Sequence, residues 1–353
     1  MSSVWGRNLT ITLFGQSHAE AIGVVVDGLP AGLRINTEEL QAFLQRRAAG
    51  GAFATARKEP DVPEFVSGLV DGVTCGAPIT ALIRNTNVRS GDYCDLRDHP
   101  RPSHADYAAS VRYGGANDIR GGGQFSGRLT AALCVAGGLC MQFLKTRGIV
   151  IGAHIASIGN IRDEAFDSAA VTAAEFPTDP FPVRNQAAKA AMQELITAAR
   201  SEGDSVGGTI ECVALGLPAG IGDPLFDGLE NRISSIVFGI PAVKGIEFGN
   251  GFAAAELTGS ENNDAYYFDE DTVKTRTNRH GGILGGISTG MPLVFRVAIK
   301  PTPSIAKKQE TVELSTKSMY TLAIQGRHDP CIVPRAVPCV EAALAIALAD
   351  YLV

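Results

Sequence analysis

The stretch "VVVDGLPAG" at residues 24–32 returns as "CVALGLPAG" at residues 212–220, and the fold is read outward from that pair. Each copy is an apolar strand running into Gly-Leu-Pro-Ala-Gly. Before the first copy, "NLTITLF" reads as a second strand, with His18 in the link to "AIGVVVDGL". After it, "INTEELQAFLQRR" reads as a helix: Asn36 stands at the N-cap, Glu39 follows three later, and Leu40, Phe43 and Leu44 share a face. The echo continues. "TCGAPITALI" (74–83) is answered by "STGMPLVFRV" (288–297), and "GGGQFSGR" and "QGRHDPCIVPR" each lead into a long apolar helix, predicted over residues 126–147 and 337–353. An order of strand, Gly-Leu-Pro-Ala-Gly, helix, strand, motif and helix that occurs twice predicts a duplicated unit. The expectation is a single α+β domain over 1–353, with related halves at about 1–150 and 200–353 and sheets flanking shared helices.

The remaining segments fit around this frame. "FVSGLV", "APITALIRN", "GGTIECVALGLP" and "PLVFRVAIKP" read as strands, residues 185–200 as a helix, and "FDGLENRISSIVFG" sets Leu229, Ile233, Ile236 and Val237 at helical spacing. Residues 252–279 are polar and weakly periodic, which predicts a long loop of the kind that carries function or motion.

Composition limits the partners. Lys and Arg total 31 against 37 Asp and Glu, a net charge of -6, which argues against a nucleic-acid surface. The apolar run "LTAALCVAGGLCMQFL" is too short and interrupted to span a bilayer and reads as a buried helix. No apolar leader opens the chain, and seven scattered cysteines lack metal-site spacing. Reduced, mostly buried thiols, no metal, no membrane and a cytoplasmic setting are the expectations.

Three constellations carry chemistry. Ser17-His18 sits in a loop between strands, and "RPSHADY" places His104 among Arg101, Asp106 and Tyr107. Imidazole is the side chain whose unperturbed titration lies near neutral pH, so two histidines could both handle protons there. "DIRGGGQFSGR" runs three glycines towards a helix start between Arg120 and Arg128, which suggests anion binding by exposed N–H groups; the bland alternative is a tight helix–sheet contact. "GRHDP" supplies Asp329 as a base beside Arg327, and "KPTPS" (300–304) offers a lysine and two hydroxyls in a proline-stiffened loop suited to a phosphate. Arg46, Arg47, Arg57, Arg84, Arg89, Arg101, Arg120, Arg128, Arg327 and Arg335 cluster around these motifs, which in an acidic protein predicts one cationic cavity for a small polyanion.

These motifs together resemble the chorismate synthase family over nearly the whole chain. The carriers are "GQSHAEAIGVVVDGLP", "GGGQFSGR" and "RHDPCIVPRAVPCVEAAL", supported by "ARKEPDVPEFVSGLVDG", "RPSHADY", "PAVKGIEFGNGF", "RHGGILGGISTG" and "KPTPSI". The resemblance implies a β-α-β sandwich with antiparallel sheets around a central helical layer, assembling as a homotetramer. It implies 1,4-anti elimination of phosphate from 5-enolpyruvylshikimate 3-phosphate to give chorismate, with reduced FMN required. On this resemblance His18 acts as an acid near the departing phosphate and His104 donates a proton to the reduced flavin. Asp329 takes the flavin N5 proton, helped by Ser17 and Ser126. FMN contacts fall on Gln124, Phe125, Ser126, Ala242, Gly285, Lys300, Pro301, Thr302, Pro303, Ser304 and Arg327, and substrate contacts on Arg47, Arg101, Arg128 and Arg327. No extra nucleotide-binding segment suggests self-reduction with NADPH, so an external flavin reductant is expected.

The chain departs from the family pattern at Gln16 for Glu, Ala19 for Gly, Gln124-Phe125 for Arg-Ser, and Ala52 where an arginine is common. Gln124, Phe125 and Ala52 motivate a competing reading, a silent or re-purposed paralogue that still binds flavin or a shikimate-like anion. A dehydrogenase built on the glycine loop is disfavoured because no dinucleotide spacing exists.

Overall fold

The computed structural model describes residues 3–48, 59–86, 96–324 and 329–353. Two five-stranded antiparallel sheets sandwich a layer of helices, so the β-α-β architecture expected above is the one observed. The helices are α1 (Thr37–Arg47), α2 (Asp106–Arg112), α3 (Thr130–Lys145), α4 (Gln186–Ser201), α5 (Leu229–Val237), α6 (Gly259–Asn262) and α7 (Val333–Leu352). The first sheet runs in the order Val4–Gly6, Thr10–Gly15, Ala21–Asp27, Ile79–Arg84, Glu64–Ser67. The second runs Ile161–Arg162, Val150–Ile158, Gly208–Leu215, Leu293–Ile299, Val243–Phe248. In each, the strand that ends in Gly-Leu-Pro-Ala-Gly is central and is flanked by the echoed strand, 79–84 or 293–299.

The layer between the sheets is built by α3 and α7. Both are buried almost all round, since their apolar residues face helices on one side and sheets on the other. Their contact is close because α3 carries Gly137: a Cβ there would lie 2.2 Å from Ala342 Cβ of α7. Gly138 similarly makes room for Leu40 of α1. The helical run Gly127–Lys145, which contains α3, is apolar and long enough to cross a membrane, but 83% of its apolar stretch is buried inside the protein. Asn36 caps α1 as expected, its Oδ1 accepting from Glu38 N–H and Glu39 N–H at 3.0 Å. Glu39 does not return to the cap; it pairs with Lys145 at 3.0 Å.

Several expectations are corrected. Helix α7 begins at Val333 rather than 337, with Pro334 in its first turn, where no N–H is needed, and Pro338 one turn later. Residues 252–279 are not a featureless loop: they form a helical turn Gly251–Glu256, α6, and a hairpin pairing Tyr266–Asp269 with Thr272–Thr275. The strand Val150–Ile158 went unread because it is buried on both faces and shows no alternation. The hairpin of Gln309–Glu313 and Ser318–Leu322 was likewise missed.

That unread strand carries a buried ion triad. His154, fully buried, contacts Asp163 Oδ2 through Nδ1 and Glu211 Oε2 through Nε2, each at 3.0 Å. Burial opposes charging the imidazole, but the two carboxylates outweigh it and raise its pKa. A raised folded-state pKa contributes stability that is complete below the unfolded value, near 6.5, and is lost as pH rises through the folded value. The melting temperature of the native chain is therefore expected to fall as pH rises above about 6.5 and through the raised folded-state value, and His154→Gln to flatten that decline. Equal slopes for the two proteins by calorimetry would remove this account.

Candidate active site

A cavity of about 850 Å³ opens between the first sheet's loops, the starts of α3 and α7, and the end of the second sheet. Such a volume lies at the upper end of the roughly 300–1,000 Å³ typical of small-molecule sites. Its described lining includes Arg47, Arg101, Arg128, Arg335, Lys244 and Lys300 against Glu59, Asp61 and Asp329, so it is cationic in a protein of net negative charge. His18, His104, Ser126 and Asp329 all line it. Ser17 does not; it is 1% exposed and lies behind the glycine turn.

The glycine run has a role other than the one read from its spacing. Gly121, Gly122 and Gly123 all have positive φ and form a tight turn ahead of Ser126. A Cβ on Gly121 would fall 2.3 Å from His18 Cε1 and 2.7 Å from Ser17 Oγ. One on Gly122 would lie 3.3 Å from His104 Nε2. The backbone thus packs directly between the two imidazoles, and Ser17 N–H donates to Gly123 O at 3.1 Å to fasten it. Glycine is required here by close approach and backbone conformation together. Gly121→Ala is expected to lower turnover about a hundredfold by displacing His18, with the far-UV spectrum unchanged. Steady-state kinetics within about twofold of the native protein would show that the turn does not position His18.

His104 is held from behind. Its Nδ1 meets Asp106 Oδ1 at 2.6 Å, which leaves Nε2 beside the glycine turn. Asp106 is gripped in turn by Arg101, with Nε–Oδ2 at 2.7 Å and Nη2–Oδ1 at 2.8 Å. Burial disfavours the ionised carboxyl, yet the hydrogen bonds from Arg101 and His104 win and hold Asp106 well below the usual carboxylate range. Arg101 Nη1 donates to Ser304 Oγ at 3.1 Å. Arg101 was expected to grip substrate; most of its donors are instead spent on positioning Asp106 and Ser304.

A second network lines the opposite wall. Asp61, 1% exposed, accepts from Arg47 Nη1 at 2.6 Å and from Arg128 Nη1. Arg47 Nε also donates to Thr130 Oγ1 at 3.0 Å, and Arg128 Nε to Asn85 Oδ1 at 2.9 Å. Arg128 Nη2 is buried with no hydrogen-bond partner among the described residues. Burial pushes the Arg128 pKa down, against the pull of Asp61. Arg335 Nη1 pairs with Asp329 Oδ2 at 2.5 Å, and its Nε donates to Arg47 O at 3.0 Å.

The remaining site residues divide. Gln124, Phe125, Ala242, Lys300, Thr302, Pro303 and Ser304 line the cavity, whereas Pro301 does not. Gly285 stands apart from the cavity, in the exposed turn between Ile283–Leu284 and Ile287–Ser288. Arg327, Arg57, Arg89 and Ala52 lie outside the described residues. The predicted arginine cluster also loses members: Arg46 pairs with buried Glu341, Arg84 with Glu20 and Glu64, and Arg120 with Asp118. Among the described residues, none of 252–279 lines the cavity. Asp61 was missed, although it lies inside one of the motifs quoted above; its role needs Arg47 and Arg128 to converge on it. Phe238 to Lys244 line a third wall that no motif marked as a whole.

The donor set fits an anionic cofactor and an anionic substrate. Lys300, Thr302 and Ser304 present a cation and hydroxyls, Arg128 presents a buried unsatisfied N–H group, and Ile240, Pro241, Ala242 and Ile332 give an apolar wall for a flat ring.

Comparison with known proteins agrees along the full length. A family model described as "Chorismate synthase" matches residues 9–353. A chorismate synthase of Lancefieldella parvula is 48% identical, covering 100% of this chain and 96% of that protein. One of Pyrococcus abyssi is 47% identical, covering 98% and 96%. A crystal structure of chorismate synthase superposes with TM-score 0.76 at 28% identity, covering 99% of this chain and 92% of that one.

Proposed function

The chain belongs to the chorismate synthase family of enzymes, and from that premise we propose that it is an active lyase converting 5-enolpyruvylshikimate 3-phosphate to chorismate and phosphate by 1,4-anti elimination with reduced FMN. The observation that carries this reading is the convergence of His18, His104, Ser126 and Asp329 on one cationic cavity of sufficient size. The silent-paralogue alternative rests on Gln124, Phe125 and Ala52, none of which belongs to that acid–base set.

The substrate carries a phosphate and two carboxylates, which is why an acidic protein concentrates Arg47, Arg128 and Arg335 at one wall. Arg128 Nη2 is the donor best placed for an incoming anion, because hydrogen bonding there removes an existing desolvation cost. Lys300, Thr302, Ser304, Ala242, Gln124, Phe125 and Ser126 would hold FMN. When bound and reduced, that cofactor supplies electron density to the allylic carbon and regains it when the substrate C6 proton is lost. His18, fixed by the glycine turn, protonates the departing phosphate oxygen. His104, with Nδ1 tied to Asp106, moves a proton through Nε2 on the cavity side. Asp329 accepts a proton at its carboxylate, with Arg335 balancing its charge. An external reductant, a homotetramer and a cytoplasmic, shikimate-pathway role complete the proposal.

The test is an anaerobic assay with chemically pre-reduced FMN, following chorismate formation. Turnover is the expected result. A folded protein that binds oxidised FMN and makes no chorismate would establish the paralogue reading instead.

A further inference from the structure

Two thiols that the mechanism does not use meet at the edge of the cavity. Cys134 of α3 and Cys339 of α7 place their sulfurs 3.9 Å apart where the two helices pack. They are not equivalent. Cys339 lines the cavity, whereas Cys134 stands behind it, fully buried. Around Cys339 are Thr130, Arg47 and Arg335, and Cys134 donates its S–H to the Cys339 sulfur. We propose that Cys339 and Cys134 are a peroxide-responsive dithiol in the cavity wall, whose closure to a disulfide switches the site off.

The electrostatics favour this division of labour. The hydrogen bond from Cys134, with Arg47 and Arg335 nearby, outweighs burial and lowers the Cys339 pKa. Burial pushes the Cys134 thiol up. Cys339, which lines the cavity and donates its own S–H to Arg335 O at 3.4 Å, is the sulfur that peroxide reaches, and Cys134, fully buried behind it, is the thiol that resolves. In the first step the Cys339 sulfur attacks one oxygen of hydrogen peroxide; the O–O bond breaks, the departing hydroxide takes the proton given up by the Cys339 thiol and leaves as water, and Cys339 becomes a sulfenic acid. In the second the Cys134 sulfur attacks the Cys339 sulfur, the S–O bond breaks, and the departing oxygen leaves as water with the Cys134 proton. Two thiols are oxidised, one peroxide is reduced, and two waters form.

The consequence for the site follows from position. A disulfide draws the sulfurs from 3.9 Å to about 2 Å, moving the first turns of α3 and α7 relative to each other. Those turns carry Thr130, which holds Arg47, and Arg335, which holds Asp329. The source of oxidant rests on the function proposed above: a reduced flavin held by Lys300, Thr302 and Ser304 would, in air, supply hydrogen peroxide by two-electron reduction of oxygen. The thiol chemistry itself does not depend on it.

The experiment treats the full-length protein, free of flavin and without air, with a small excess of hydrogen peroxide. Peptide mapping by mass spectrometry then reads all seven cysteines. The expected product is a cross-link between the Cys134 and Cys339 peptides, lighter by two hydrogens. Chorismate formation, assayed afterwards with pre-reduced FMN, falls on the order of tenfold or more and is restored by dithiothreitol. In Cys134→Ala, Cys339 is expected to proceed to the sulfinic acid, and dithiothreitol no longer restores activity. Thiols left unmodified at both positions, a cross-link without loss of activity, or full dithiothreitol recovery in Cys134→Ala would each overturn the proposal. Cross-linking in a protein that never makes chorismate would leave the dithiol standing and remove the proposed function instead.

Discussion

Asp329→Asn is expected to reduce turnover about a hundredfold or more, the scale for losing a positioned general base. The carboxylate lies on the cavity wall just before α7 and is paired with Arg335 at 2.5 Å. The amide keeps the volume but cannot take a proton, so kcat should fall while the dissociation constant of oxidised FMN stays within about threefold. A merely structural role would move both together, because Arg335 loses its counter-ion in either case. The companion His18→Ala removes an imidazole that the glycine turn packs against and should also cost about a hundredfold. If neither substitution slows chorismate formation, the acid–base assignment proposed here is wrong.

Asp61→Ala should give the largest loss of stability, about 3–5 kcal/mol in urea unfolding, the range for breaking a buried ion pair by removing one partner. Asp61 is 1% exposed and is shared by Arg47 and Arg128, themselves 4% and 6% exposed. Without it two guanidinium groups face each other in a poorly solvated wall. Inorganic phosphate should recover part of the loss by entering between them, since an anion that binds only the folded state stabilises it by mass action. A loss below about 1 kcal/mol, or no response to phosphate, would mean that the pair is solvated and that Asp61 is not the keystone of this wall.

The two departures at Gln16 and Gln124 take on a different weight once the cavity is seen. Gln124 lies on its lining, but Gln16 faces a smaller neighbouring hollow of about 230 Å³, to which Gln124 also contributes. The feared loss of charge at Gln16 therefore falls outside the cavity that holds the acid–base set.

How much was legible depended on the range of the interaction. The strands around Gly28 and Gly216, the cap at Asn36 and the buried helix after Ser126 could be read because period, cap chemistry and composition act within a dozen residues. His18, His104, Ser126 and Asp329 were legible as candidates because their local motifs are distinctive. The strand Val150–Ile158 was not, since burial on both faces erases the alternation that marks a strand. The hairpin inside 252–279 was not either, because its strands are only four residues long and largely exposed, with Tyr266 and Phe268 facing solvent rather than a core.

What the chain's order alone determined was the repeated pattern of strands and helices and the residue types able to move protons or hold anions. Local backbone preference and amphipathic period are properties of consecutive residues. Only the tertiary structure decided that the three glycines serve as a spacer between two imidazoles, that Asp61 joins two arginines, and that Arg46, Arg84 and Arg120 belong elsewhere. Those outcomes depend on distances between residues far apart in the chain, which are set by how α3 and α7 pack between the sheets.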